Sequence, residues 1–412
     1  MILMQQNFNA EELETLSKIN YLAGSLDTVE LMKEAPSKEP FSDEILEFLN
    51  LISRELMDSK EARSYPDVVT LGFWLRKSNI TKLKESYYVK DDNIHLGRGI
   101  AFHIAPSNVP VNFAYSLFSG LMTGNRNIVR VPSKDFQQVR LIVNAIKKVL
   151  EYQKDFEPYI VLVRYGRERE INDVLSSIAD TRIIWGGDAT IADIRKSPLA
   201  PRGTEITFAD RFSLSILDSD CYIEKAKDGK AERIAQDFYN DTYLSDQNAC
   251  TSPRLIVWTG SRKEEAKEIF WDELHKQVVC KYDFQTIMAV NKWTSLCLAA
   301  VHEGDLHVIK TGDNLITRIQ VKRLTRDLID LRENCGFFYE YDTDNLMELR
   351  EICDDNRVQT LGMLGSHDAV KPLLKSGVRG IDRVTDIGKT MDFDLIWDGY
   401  NLADRLTRIV RI

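Results

Sequence analysis

"RGIAFHIAPSNVPVNFAYSLFSGLMTGNRNIVRVPSK", residues 98–134, is the stretch from which the fold is read. An apolar run ("RGIAFHIA") ends in a turn carrying Pro106 and Pro110. A mostly apolar helix pattern ("NVPVNFAYSLFSGLMTG") follows, and then a second apolar run ("NIVRVP"). Strand, turn, helix and strand with short connections imply a parallel sheet, because parallel neighbours need a crossover and a helix supplies it. The rhythm continues through an amphipathic helix at "KDFQQVRLIVNAIKKVL", a strand at "YIVLVRYG", a helix at "REINDVLSSIA" and a strand at "TRIIWGG". Strands that are apolar throughout are covered on both faces.

Upstream, residues 1 to about 95 are charged and helical in pattern, with apolar residues near a 3.6-residue spacing in "EILEFLNLISREL" and "VVTLGFWLRK". Downstream, a second α/β run starts near residue 211. Its expected strands are "RLIVW", "FFYEY" and "RVQTLGML", with a helix at "DNLMELREICDD". The tail "DFDLIWDGYNLADRLTRIVRI" is apolar and basic at its end, which predicts a strand returning to another surface. An oligomer contact and docking on its own chain are its two uses. The expected organisation is helices plus a first α/β domain over 1–210, a second α/β domain over 211–395, and a return or oligomerisation segment over 396–412.

The chain has 412 residues, enough for two sizeable cores. With 43% hydrophobic and 28% charged residues it has the composition of an ordinary globular protein. A formal net charge of -9 argues against non-specific nucleic-acid binding. None of the six cysteines forms a C-x-x-C pair, and the six histidines have no metal spacing, so no metal site is expected. The opening "MILMQQNFNA" lacks the features of a signal peptide, and the apolar run "TIMAVNKWTSLCLAAV" is broken by Asn291 and Lys292. A reducing cytoplasm and no membrane span are the expectations.

Several residues stand where chemistry could occur. "SDQNACTSPRLIVW", residues 245–258, places Cys250 where a polar run gives way to a strand, a position that offers a side chain to a ligand. Cysteine is otherwise a small buried hydrophobe. Asn108, in "APSNVP", is either a helix cap or a carboxamide aimed at an oxyanion. Arg130 and Lys134 sit at the carboxyl end of a strand, where α/β sheets bind ligands; a solvated basic pair is equally consistent with them. Gly186 and Gly187, in "WGGD", either make a plain turn or let backbone approach a phosphate. His103 alternates within an apolar strand and reads as a satisfied core residue.

The order "APSNVP", "GNRNIVRVPS", "WGGD" and "DQNACTSP" resembles the aldehyde dehydrogenase superfamily. "NVPVNFAYSLFSGLMTGNRNIVRVPS", "SDQNACTSPRLI", "FFYEY" and "DFDLIWDGYNL" are similar to its bacterial acyl-CoA reductase (LuxC-type) branch in particular. The resemblance runs from about residue 98 to the C-terminus. It implies an aldehyde-dehydrogenase-like fold: a Rossmann-like cofactor domain and a catalytic domain, with helices before them and a return strand after. By the same resemblance Cys250 is the acyl-accepting nucleophile, and Asn108 with the Cys250 N–H forms an oxyanion hole. Arg130 falls on the cationic position that contacts the adenosine ribose. Ser133 replaces a glutamate common in NAD-preferring members and Lys134 follows it, which favours NADP(H) over NAD(H). Gly186 and Gly187 fall beside the pyrophosphate and nicotinamide, and Glu333 of "ENCGF" resembles the glutamate on the nicotinamide ribose.

One departure bears on the reaction. The stretch aligned with the water-activating glutamate of hydrolytic members, "ITFADRFSLSIL" (206–217), lacks it, with Glu205 and Asp210 close in sequence but out of register. The implied activity is NAD(P)H-dependent reduction of a long-chain fatty acyl-CoA or acyl thioester to the aldehyde, with CoA as leaving group. An acyl-activating synthetase partner and a homo-oligomer go with that branch. The alternatives are a CoA-acylating aldehyde dehydrogenase for short aldehydes, a cysteine acyltransferase or thioesterase without nicotinamide, and a non-catalytic acyl-binding subunit. No histidine or lysine in "DQNACTSP" supplies a cation to the thiol.

Overall fold

A computed structural model describes residues 8–88, 91–107, 109–303 and 306–412. The chain forms two compact units, Met1–Ala209 with Asp394–Ile412, and Asp210–Phe393.

Among the described residues, the part of the first unit before residue 210 holds seven strands: β1 (Asn20–Ala23), β2 (Ile94–Gly97), β3 (Ile100–Ile104), β4 (Arg126–Arg130), β5 (Ile160–Arg164), β6 (Thr181–Trp185) and β7 (Thr204–Phe208). Six of them make a sheet in the order β1-β5-β4-β3-β6-β7, parallel except for β1, which runs antiparallel to β5. The expected alternation is borne out by helices Asn112–Met122, Gln137–Leu150 and Arg169–Ser177 between consecutive strands. β3 is buried at every residue, and β6 likewise, with His103, Thr181 and Arg182 as their buried polar members. The chain builds β3, β4 and β5 outward on one side, then returns to lay β6 on the other side of β3. This makes β3/β6 a topological switch point, the kind of place where open α/β sheets bind ligands at the carboxyl ends of their strands.

β1 was not expected in a segment read as helical. "NYLA" is too short to hold a helical period, and it finds the open edge of β5 before Gly24 (φ 75°) turns the chain away.

The second unit holds β8 (Phe212–Asp218), β9 (Pro253–Thr259), β10 (His307–Ile309), β11 (Thr317–Gln320), β12 (Phe337–Asp342), β13 (Val358–Leu364) and β14 (Arg383–Asp386). Their order is β10-β11-β12-β9-β8-β13-β14, parallel apart from β10. Alternate residues feed two cores. Leu255, Val257, Phe337 and Tyr339 pack on one face, and Ile256, Trp258 and Phe338 on the other with Phe270 and Trp271 of helix Lys263–Lys281. The "DNLMELREICDD" helix is shorter than expected, a 3₁₀ turn at Leu346–Leu349 running into Arg350–Cys353.

The tail returns to the first unit. β15 (Ile396–Trp397) and β16 (Tyr400–Asn401) pair with each other, and β17 (Thr407–Val410) runs antiparallel to β2. Docking on its own chain is thus the observed use. Among the described residues, no helix is long and apolar enough to cross a membrane, and no cluster of His, Cys, Asp and Glu could hold a metal ion.

His103 is fully buried on β3 in a directional chain. Asn127 donates its amide to the carbonyl of Asn125 (2.7 Å), so its Oδ1 accepts from His103 Nε2–H (3.0 Å). His103 Nδ1 then accepts from Ser116 Oγ (2.7 Å), whose oxygen accepts from Trp185 Nε1 (3.0 Å). Burial pushes the imidazole down to about 4. The folded state resists a proton that the unfolded chain takes up near pH 6.5, so stability is unaffected above that pH and falls between it and about pH 4. The loss should reach about 3 kcal/mol, from about 1.4 kcal/mol per pH unit. Urea titrations between pH 4 and 7 on the wild type and His103→Gln should show a shallower acid-side fall in the variant.

Candidate active site

The loops entering β8, β9 and β12 lie side by side, because these three strands are neighbours and parallel. Cys250 is in the loop before β9, Asp210 and Arg211 precede β8, and Arg332, Glu333 and Asn334 precede β12. A 3₁₀ turn at Tyr243–Ser245 leads into the Cys250 loop. Asp246 (φ 52°) and Gln247 (φ 59°) then adopt left-handed backbone in succession. For non-glycine residues this costs on the order of 1–2 kcal/mol each, so it survives only where neighbours enforce it.

Several neighbours do. Asp246 accepts from Tyr282 Oη (2.8 Å) and, at its carbonyl, from the Cys335 N–H (3.1 Å). The Gln247 carboxamide, fully buried, donates to the carbonyls of Pro253 (2.8 Å) and Phe337 (3.2 Å) and accepts from the N–H groups of Gly336 (2.9 Å) and Phe337 (3.1 Å). It thereby joins the Cys250 loop to the start of β12. Gly336 (φ 84°) is obligatory there, since a Cβ would collide with the Tyr243 hydroxyl and the Leu315 carbonyl. Ser213, on β8, donates to the Cys250 carbonyl (2.7 Å). The half-buried thiol is therefore carried on a loop tied to the strands on both sides.

Arg254, the second residue of β9, lies under this loop and is 5% exposed. Its Nη1 donates to the carbonyls of Ala249 (3.4 Å) and Ser252 (3.2 Å), and its Nη2 to the Gln247 carbonyl (2.6 Å) and Asn334 Oδ1 (3.0 Å). Burial, reinforced by the nearby charge of Arg332, pushes its guanidinium down to about 10; Asp210, Cys250 and Glu333 act in the opposite sense. Asp210 is ion-paired with Arg332, whose Nη1 also donates to the Arg211 carbonyl (2.6 Å). Glu333 accepts from Ser295 Oγ (2.7 Å) and the Asn334 N–H (2.9 Å), and Asn334 Nδ2 donates to Asn248 Oδ1 (2.9 Å).

Cys250 and Glu333 thus lie on loops entering neighbouring interior strands, at the amino ends of β9 and β12. Asn108 lies outside the described residues. The other anticipated residues belong to the first unit, at the carboxyl ends of its strands. Arg130 closes β4, with its guanidinium 4.6 Å over the Tyr165 ring and donating to the Gly166 carbonyl. Ser133 and Lys134 are exposed just beyond, with Lys134 Nζ 5.0 Å from the Phe136 ring centroid. Gly186 donates its N–H to the Phe208 carbonyl (3.0 Å), and Gly187 caps helix Asp188–Ile194 at the switch point. Gly187 has an ordinary backbone (φ -65°) and open space where a Cβ would stand, so access rather than strain distinguishes it. Glu205 is bound to Arg182 (2.6 Å) and Arg195 (2.7 Å).

Gln247, Arg254, Arg332 and Asn334 were missed by sequence reasoning. A signal existed for two of them: a glutamine amid the polar run and an arginine inside the apolar strand "PRLIVW", three residues before and four after Cys250.

A family model described as "Acyl-CoA reductase (LuxC)" matches residues 79–286. The chain is 29% identical over 185 residues to long-chain acyl-protein thioester reductase 2 of Photobacterium leiognathi, covering 44% of this chain and 36% of that one. It is 23% identical over 328 residues to the long-chain acyl-protein thioester reductase of Photorhabdus luminescens, covering 76% and 63%. The chain thus spans between about a third and just under two thirds of the length of these relatives. Two solved structures share its fold. A 3,6-anhydro-L-galactose dehydrogenase aligns with TM-score 0.61 at 12% identity over 96% of both chains. The glyceraldehyde-3-phosphate dehydrogenase of Methanocaldococcus jannaschii aligns with TM-score 0.63 at 15% identity over 97% of this chain and 93% of its own.

Replacing Gln247 with Ala would strand two buried carbonyls and two buried N–H groups. At about 1–3 kcal/mol for each unsatisfied group, partly relieved by entering water, a loss of roughly 2–4 kcal/mol is expected from urea denaturation. Replacement of the exposed neighbour Asn248 should cost less than about 1 kcal/mol.

Proposed function

Since the chain belongs to the acyl-CoA reductase (LuxC) family, we propose that it reduces a long-chain fatty acyl thioester to the aldehyde, with Cys250 as the acyl-accepting thiol. The observation that carries this reading is the Cys250 loop: backbone strain of this kind persists where surrounding bonds hold a side chain for chemistry. The thiolate attacks the thioester carbonyl, and the acyl group passes to sulfur as the donor thiol leaves. CoA is one such donor, and its thiol has a pKa near that of free cysteine, which makes it a good leaving group. The family description names acyl-CoA, and the relatives' names specify an acyl-protein thioester; the shared chemistry is a thioester carbonyl. An acyl-activating synthetase is the proposed supplier of that donor, and Asn108 is the proposed side-chain donor to the oxyanion.

A dinucleotide fits the first unit. Arg130, Ser133 and Lys134 would hold its adenosine end, and Gly186 and Gly187 would lie beside its pyrophosphate, where Gly187 leaves room for close approach. Glu333 would bind a ribose hydroxyl through the acceptor capacity it retains beyond Ser295 and Asn334. When bound, the nicotinamide supplies the hydride that releases the acyl group as aldehyde. The preference is NADPH. Asp135, the acid nearest Lys134 in sequence, is hydrogen-bonded by Arg140 and also faces Arg164, which together hold its carboxyl below the usual range. Arg130 and Lys134 are then left to favour a 2′-phosphate.

The same reading accounts for an acyl-enzyme that waits for reduction. Glu205 is engaged by two arginines and Asp210 by Arg332, so neither carboxylate is poised to activate water against the thioester.

Incubation with radiolabelled palmitoyl-CoA should label Cys250, and Cys250→Ser should abolish labelling while retaining nucleotide binding; labelling elsewhere overturns the assignment. Asn108→Ala should lower kcat roughly a hundredfold, as loss of one oxyanion donor does. Lys134→Ala should raise the KM for NADPH about tenfold with little change for NADH, followed by loss of reduced-nicotinamide absorbance. No oxidation of either nucleotide with any acyl thioester would favour a cysteine acyltransferase.

A further inference from the structure

The reading of Cys250 as nucleophile leaves open what ionises its thiol, since the adjacent sequence holds neither histidine nor lysine. The thiolate is the reactive form, and a neighbouring cation stabilises it. Arg254 is the residue in place to act. Four of its N–H groups are spent on the carbonyls of Gln247, Ala249 and Ser252 and on the Asn334 carboxamide, all neutral oxygens. Its Nε–H is buried with no hydrogen-bond partner among the described residues. A buried cation bonded only to neutral acceptors keeps its field, and the site gains when negative charge forms nearby.

We propose that Arg254 is a positioning residue for acyl transfer: its guanidinium clamps the turn that carries Cys250 and sets a fixed positive charge beneath the thiol. The clamp accounts for geometry, because three of its acceptors are backbone carbonyls within three residues of Cys250. The charge accounts for reactivity, because the other ionisable groups facing Arg254 are Cys250, Asp210, Arg332 and Glu333. Asp210 and Arg332 neutralise each other in an ion pair. Glu333 is turned to Ser295 Oγ and the Asn334 N–H. Glu333, bonded only to neutral donors, keeps a charge that opposes the thiolate, and Arg254 is the cation hydrogen-bonded to the Cys250 turn itself. Lysine would keep the charge but not the planar fork that reaches several carbonyls at once.

The test rests on the Proposed function only through Cys250 and is built to fail separately from it. Alkylation of the intact chain by iodoacetamide, followed at Cys250 by peptide mass spectrometry between pH 6 and 10, reports the thiolate directly. In the wild type the midpoint should lie below the value of about 8.5 for a free cysteine; a midpoint at or above it overturns the inference without any variant. Arg254→Met should move the midpoint up by a unit or more, cutting the alkylation rate at pH 7 about tenfold. Arg254→Lys should hold the midpoint near the wild-type value yet lower kcat for acylation, through loss of the clamp. A lowered Tm with an unmoved midpoint in Arg254→Met would reduce Arg254 to a structural role. If wild-type Cys250 shows the depressed midpoint but takes no acyl label, the functional reading falls and the inference about its ionisation stands.

Discussion

The second unit depends on one local constraint: two consecutive non-glycine residues, Asp246 and Gln247, held in left-handed backbone at the mouth of β9. Left alone, this turn would relax and carry Cys250 with it. It is held because the Gln247 carboxamide satisfies two donors and two acceptors at once, and because Arg254 ties down three carbonyls of the same turn. A buried polar network of this kind specifies one arrangement, since any displacement leaves the bonded carbonyls and N–H groups without partners or water. The neighbouring loops then fall into place: Gly336 passes under Tyr243, and Asn334 reaches across to Asn248.

The first unit follows a different logic. The position proposed for its ligand follows from strand order rather than from strained backbone. The reversal at β3/β6 makes a switch point at the carboxyl ends, with Gly187 and a short helix following β6 and Arg130 closing β4. The core beneath is set by the buried chain from Trp185 through Ser116 and His103 to Asn127, which links β6, a crossover helix, β3 and β4 by directed hydrogen bonds. Stacking of Trp185 on Phe208 at 3.7 Å extends this order to β7. Rigidity beneath a switch point is what a precisely oriented ligand needs.

Much of this was legible before any coordinates. Every strand inferred between residues 98 and 187 is present, as are β9, β12 and β13, because their runs are rich in apolar residues and bounded by turns. The position of Cys250 between a polar turn and a strand was also readable. β1 was not, because four residues carry no period and an edge strand is decided by its neighbour's vacancy. Nor were the roles of Gln247 and Arg254, although both lie within the stretch that drew attention to Cys250. Side-chain bonds to backbone carbonyls leave no trace in hydrophobic pattern, which records only burial.

The amino-acid order by itself determined the α/β class and the parallel sheets, since both depend on local periodicity, while Cys250 entered as candidate nucleophile through the family resemblance of the motifs around it. Tertiary structure alone decided which loops converge, because strand neighbours such as β8, β9 and β12 are far apart in the chain and are selected by packing on both sheet faces. It also decided that the tail docks on β2, and that a buried arginine ties down the carbonyls of the loop that carries Cys250. The physical reason is the same in each case: a hydrogen-bonding group reveals its partner only when the chain has brought that partner within about 3 Å.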